Sequence, residues 1–186
     1  MTCYNGFRGS VNMEKGYVRL ASPVIQEDSI VDGEGIRSVI WFQGCSHNCE
    51  GCHNPETHDF NGGIVRKIEN LESEIKELEF QSGITFSGGD PMMQIDALVE
   101  LAKFTKSCDL NVWCYTGFTY EEILALAKKN SKYLEALNYI DVLVDGKFVK
   151  DLKSFEVVFR GSTNQRIIDV KKSLKEGKVV KVEKYC

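Results

Sequence analysis

The stretch IRSVIWFQGCSHNCEGCHNPE, residues 36–56, opens as a run of β-branched and aromatic residues and closes as a loop carrying three thiols. IRSVIWF (36–42) is almost continuously apolar, the pattern of a strand covered on both faces. Directly after it, Cys45, Cys49 and Cys52 fall close together, with His47 and His53 beside them. Thiolates are soft donors that select zinc or an iron-sulfur cluster. A structural zinc site usually takes four ligands from two separated pairs, and no second pair follows here. His47, His53 or His58 would have to complete it, His47 from inside a very short chelate ring. A 4Fe-4S cluster held by only three thiolates instead keeps one iron open to a chelating ligand. Gly44 and Gly51 ease the turns that wrap such a loop around a cluster. The spacing favours the cluster, and a non-enzymatic zinc-binding interaction module is the alternative of another class.

Outward from this loop, strand and helix patterns alternate. YVRLASPVI (17–25) reads as an extended edge strand, and VRKIENLESEIKELEF (65–80) sets Ile68, Leu71, Ile75 and Leu78 at helical spacing, an apolar stripe for sheet packing. GITF (83–86) is a short buried strand running into SGGD, and Pro91 opens the helix PMMQIDALVELAKFTKS (91–107). LNVWCYTG (110–117) is strand-like, and Thr119 with Glu122 fits a capping box at the start of EEILALAKK, followed by a short helix over SKYLEALN. YIDVLVDG (139–146), FEVVFRG (155–161) and KVVKVEKY (178–185) supply three further strands, the last two separated by a helix around QRIIDVKKSLKE. Such alternation implies right-handed β-α-β crossovers, hence an α/β fold: an open partial (β/α) barrel, its mostly parallel sheet of about six strands with helices outside. Residues 1–186 are read as a single domain with a polar N-terminal arm over 1–16. In such folds ligands sit at the carboxyl ends of strands. The cysteine loop, SGGD, YTG, DGK and RGSTNQR all occupy such ends.

The totals bound the partners. A net charge of -4 argues against nucleic acid, which requires a basic surface. No apolar run approaches bilayer length and the N-terminus lacks a signal-peptide pattern, so a cytoplasmic protein away from membranes is expected. Seven cysteines, an odd number, suit metal ligation in a reducing compartment better than disulfides. Cys3, Cys108, Cys114 and Cys186 fall in no ligand spacing and read as bystander thiols. The Lys-rich tail KKSLKEGKVVKVEK reads as a solvated face or a docking patch for an acidic protein surface.

C-x3-C-x2-C after a first strand, with Gly-Gly after a later one, resembles the radical S-adenosylmethionine superfamily. SIVDGEGIRSVIWFQGCSHNCEGCHNPETHDF, TFSGGDP, VWCYTG, VDGKF and RGSTNQRIID together resemble its activating enzymes for anaerobic (class III) ribonucleoside-triphosphate reductase. The resemblance implies the radical S-adenosylmethionine partial barrel, with Cys45, Cys49 and Cys52 holding one 4Fe-4S cluster. S-adenosyl-L-methionine would chelate the open iron and be cleaved reductively, and the resulting radical would take hydrogen from a glycine of the reductase. The implied partners are the large chain of that reductase and reduced flavodoxin or ferredoxin as electron donor. Gly88, Gly89 and Asp90 would hold the amine of the cofactor, Asp90 standing where many members carry Glu. His53, Asn54 and Thr116 would lie against the ligand, and Asp145 and Lys147 near the nucleoside or a monovalent cation. Arg160 or Arg166, in a polar group with Ser162 and Asn164, would pair with the methionyl carboxylate. Gly51 stands where many relatives place a bulky apolar residue against the adenine. An activase of another glycyl radical enzyme, or a small radical enzyme acting on a metabolite, remains open at this point.

Overall fold

A computed structural model describes residues 13–185; Cys3, Cys186 and residues 1–12 of the polar arm lie outside the described residues. The chain forms β1 (Tyr17–Leu20), β2 (Gln26–Ser29), β3 (Arg37–Phe42), β4 (Ile64–Lys67), α1 (Ile68–Lys76), β5 (Gly83–Gly88), α2 (Ile95–Ser107), β6 (Asn111–Tyr115), α3 (Tyr120–Ala127), α4 (Lys132–Tyr139), β7 (Val142–Asp145), β8 (Arg166–Asp169) and α5 (Val170–Glu176). The strands make one open sheet in the order β4-β1-β3-β5-β6-β7-β8, with β2 paired on β3.

The middle of the sheet, β3-β5-β6-β7, is parallel. β5, β6 and β7 are each reached through a helical crossover, and the near-complete burial of all four strands explains the unbroken apolar runs of the sequence. The flanks are antiparallel: β1 on β3, β4 on β1, β2 on β3 and β8 on β7. The sheet is therefore mixed, where the alternation pattern had suggested one mostly parallel. Arg37 pins the amino ends of the parallel strands from a buried position. Its guanidinium donates to Thr85 Oγ1 (2.7 Å) and to the carbonyls of Ile84 (2.8 Å) and Asn111 (3.1 Å), and lies over the Trp113 ring. Burial lowers its pKa to about 10, far above physiological pH, so the charge stays and is met by these acceptors.

The helical stripe is core as expected, with Ile68, Leu71 and Ile75 buried and Leu78 packed against them just beyond α1. Pro91–Gln94 forms a 3-10 turn ahead of α2, and the Thr119/Glu122 capping box is present at α3. Several expectations about individual elements fail. VRK at 65–67 is not helical but belongs to β4, because its backbone is taken by β1. β1 stops at Leu20 rather than running to residue 25, and β4 covers it, so the sheet edge is β4.

FEVVFRG (155–161) is not a strand: Phe155 and Val158 face solvent, and Phe159 turns through φ 55, so no continuous ladder can form. The strand lies instead in RIID, where the adjacent Ile167 and Ile168 are both buried and β8 pairs with β7 before Asp169 caps α5. KVVKVEKY runs beside β8 through backbone bonds from Asp169 N to Val180 O and Val182 N to Ile167 O, but closes as a 3-10 turn rather than a strand. No described helix is long and apolar enough to cross a membrane.

Candidate functional site

Four parallel strands direct their carboxyl ends to one side of the sheet, and the loops leaving them enclose a cavity of about 390 Å³. Cys45, Cys49 and Cys52 all line it, together with Gly88, Gly89, His53, Asn54, Thr116 and Arg160. The RGSTNQR segment reaches the same cavity from the start of antiparallel β8 rather than from the end of a parallel strand.

The cysteine loop is held at its neck. Gly44 N donates to Thr57 O (2.8 Å) and Cys45 N to His58 O (3.1 Å), while the Gln43 side chain donates to Asp59 O (2.7 Å). The end of β5 packs directly on this neck through Gly89 N to Phe42 O (2.7 Å) and Asp90 N to Gly44 O (2.9 Å). A Cβ on Gly89 would stand 2.5 Å from Gly44 O, so that glycine is required by the approach of backbone to backbone. Gly88 adopts φ 99 for the same reason, its missing Cβ lying 2.5 Å from Phe42 O. The two glycines thus lock the shelf to the cysteine loop as well as facing the cavity.

Asp90 is placed differently from its expected position. It does not line the cavity but is wholly buried behind it. One carboxylate oxygen accepts from Met92 N (3.0 Å), capping the turn before α2, and the other from Gly117 N (2.9 Å). Thr116 Oγ1 lies within hydrogen-bond reach of both oxygens, and His47 Nε2 stands 2.7 Å from the second. With its lone pairs engaged, the carboxylate is a strut joining the cysteine loop, β5 and the end of β6. The Thr116 hydroxyl is likewise turned toward Asp90 and also receives Phe118 N.

Asp145 is also buried off the cavity, where it accepts from Tyr120 N (2.7 Å) and pairs with Arg166, which in turn binds Glu121. The Arg166 hydrogen bond holds Glu121 below the ordinary carboxylate range. Lys147 is exposed and outside the cavity wall. Of the two arginines left open by sequence, Arg160 lines the cavity and Arg166 does not. The Arg160 guanidinium donates to Tyr185 O (2.8 Å) and Gln165 O (3.2 Å), while its buried Nε has no partner in the protein.

Three further residues line the cavity: His47, weighed in the sequence only as a fourth zinc ligand, and Phe148 and Phe159, not singled out there. His47 had a signal, its position between two thiols; its ring packs on Phe118 and fills the space where a Cβ of Gly117 would come within 2.3 Å. Phe148, against the His53 ring at 5.0 Å, and Phe159 had none, because loop aromatics carry no periodicity.

The thiols sit in an environment that resists bare negative charge. Burial, with the nearby Asp90 carboxylate, pushes the Cys45 thiol up to about 12, and burial raises Cys49 as well. Backbone hydrogen bonding at His47 and at Phe148 works against these shifts, and Asn54 N donates to Cys52 Sγ (3.4 Å). Soft donors whose charge needs a cation, each addressed by a backbone N–H, suit the thiolates of an iron-sulfur cluster. No three His, Cys, Asp or Glu side chains among the described residues converge tightly enough for a single metal ion. A cluster makes no such demand, since each thiolate takes its own iron.

The model of a 4Fe-4S single cluster domain family matches residues 31–168, spanning every cavity element just described. An anaerobic ribonucleoside-triphosphate reductase-activating protein of Haemophilus influenzae is 32% identical over 146 residues, covering 74% of this chain and 90% of that protein. One from Enterobacteria phage T4 is 35% identical over 145 residues, covering 74% of this chain and 86% of that protein. A partial structural overlap, with TM-score 0.47, 16% identity and 56% of this chain against 54% of the other, is to QueE from Escherichia coli. On the sequence relatives and the matched domain, this chain belongs to the family of anaerobic ribonucleoside-triphosphate reductase-activating proteins, built on a 4Fe-4S single cluster domain.

Proposed function

We propose that this chain activates an anaerobic ribonucleoside-triphosphate reductase by radical S-adenosylmethionine chemistry, as a cytoplasmic single-domain enzyme with the partial-barrel frame of that superfamily. The observation that carries this reading is the meeting of Cys45, Cys49, Cys52 and the Gly88-Gly89 shelf in one cavity. Three thiolates would hold a 4Fe-4S cluster and leave one iron to the amino and carboxylate groups of S-adenosylmethionine. A cluster so held, with flavodoxin or ferredoxin as reductant, would supply the electron for reductive cleavage of S-adenosylmethionine to methionine, and the hydrogen would be taken from a glycine of the reductase.

The chain's own residues bind and orient. The backbone at Gly88 and Gly89 would receive the ammonium, and Arg160, which lines the cavity, the carboxylate. Asp90 holds that shelf in place from behind rather than touching the ligand. His53 and Asn54, at the exit of the cysteine loop, close the cavity wall with Phe148.

The test is direct. Protein reconstituted anaerobically with iron and sulfide should form 5'-deoxyadenosine under reduction and raise a glycyl radical signal in the reductase by electron paramagnetic resonance. Cys49→Ala should lower both by more than the roughly 10–100-fold that loss of a mere outer-shell partner costs. Full activity in Cys49→Ala would refute the ligand set, and a colourless zinc protein inert toward S-adenosylmethionine would refute the function.

A further inference from the structure

Twelve large hydrophobic residues are exposed among the described residues, and seven of them lie in two loops that both run into the cavity wall. Ile30, Val31 and Ile36 precede β3, and Val31 itself lines the cavity. Val149, Leu152, Phe155 and Val158 lie in the connection from β7 to β8, which is bounded by Phe148 and Phe159 of the same cavity. Phe155 is 91% exposed and Ile30 71%, positions that the fold itself gives no reason to keep apolar.

The two loops are braced against each other. Tyr185 sets its ring 5.3 Å from Phe159 and donates its hydroxyl to Glu34 (2.9 Å), beside the first loop. Lys184 also pairs with Glu34, so the C-terminal segment fixes the spacing of the rim. Apolar side chains gathered at the mouth of a reaction cavity, on braced loops, mark a surface that another molecule covers.

We propose that this rim is where the reductase chain docks, Phe155 and Ile30 acting as apolar anchors that seat its glycine-bearing segment over the cavity. The inference rests on the activating function proposed above. That function requires a polypeptide backbone to reach a cavity whose mouth these loops frame, so whatever enters passes across them. Lys147, Lys150 and Lys153 are interleaved with Asp151 and Glu156 along the second loop, Lys150 is bound to Glu50 of the cysteine loop (2.6 Å), and the first loop adds Asp32 and Glu34. The rim therefore carries balanced charge and selects its occupant by apolar fit rather than by a strong field. A nucleic acid or an acidic membrane surface would need the reverse.

The experiment compares the cluster-loaded wild type with Phe155→Asp, Ile30→Asp and the control Phe80→Asp, an exposed phenylalanine just before β5 at the opposite end of the strands. Binding to the purified reductase is measured anaerobically by biolayer interferometry, and 5'-deoxyadenosine formation is measured without the reductase. Phe155→Asp and Ile30→Asp should each weaken binding by about tenfold or more, the effect of losing an anchor, while uncoupled cleavage, melting temperature and the control stay at wild-type values. Rim variants that bind as the wild type does, or a control that weakens equally, would overturn the docking surface while leaving the activating function intact. A wild type that cleaves S-adenosylmethionine but does not bind the reductase would overturn the function, and the docking surface with it.

Discussion

At the scale of single residues, the contact between His47 and Asp90 decides how the site is assembled. A histidine embedded between two thiols reaches a carboxylate buried behind the glycine shelf, and the same carboxylate gathers Thr116 and Gly117 from the next strand. A short aspartate suits this role, because a longer side chain would not fit between Met92 N and Gly117 N without displacing one of them. Gly117 is the sensitive point. Gly117→Ala would set a Cβ 2.3 Å from the His47 ring and force the cysteine loop outward. The expected outcome is a stability loss of about 1–3 kcal/mol in denaturant titration, typical of overpacking, together with less iron bound per chain on reconstitution. The cysteines themselves were legible in the sequence, since spacing and thiolate chemistry suffice to single them out. The role of Asp90 was not, because a carboxylate beside two glycines reads equally well as ligand contact or strut until its partners are placed.

At the scale of elements, burial explains both what the sequence pattern revealed and what it hid. β3, β5, β6 and β7 were legible because strands covered on both faces have unbroken apolar runs. β4 and β8 were not, because four-residue strands that run straight into helices share their residues with the helical pattern. FEVVFRG misled for the opposite reason: it has strand composition, but its apolar side chains stand in solvent. Asp141 illustrates how the crossovers are fastened. Burial alone would raise its pKa, but hydrogen bonds from Lys106 of α2, Lys171 of α5 and Val112 N outweigh that and hold it below the ordinary value. A carboxylate lowered on folding stabilises the protein above its unfolded pKa of about 3.9, and that contribution is lost as pH falls through the folded value. Asp141→Asn should therefore cost about 1 kcal/mol at pH 7, and the gap to the wild type in thermal unfolding should close as pH drops below about 3.9. A gap that stays constant down to pH 3 would contradict the assignment.

At the scale of the whole molecule, the sheet is an arrangement for bringing loop ends together. The antiparallel flanks complete the core, while the parallel centre turns all of its carboxyl ends, and with them three thiols and the glycine shelf, toward one cavity that Arg160 enters from the β8 side. An alternating strand and helix pattern is enough to foresee that convergence, because parallel strands must share a direction. It does not foresee the mixed flanks, whose pairing depends on long-range contacts. The proposed function requires this cavity to hold a cluster with one iron not bound by the protein. Mössbauer spectroscopy of protein reconstituted with iron-57, before and after addition of S-adenosylmethionine, tests it most directly. A single iron of the cluster should change its isomer shift when the compound is added, while the others do not. A spectrum in which every iron is unaffected would contradict it.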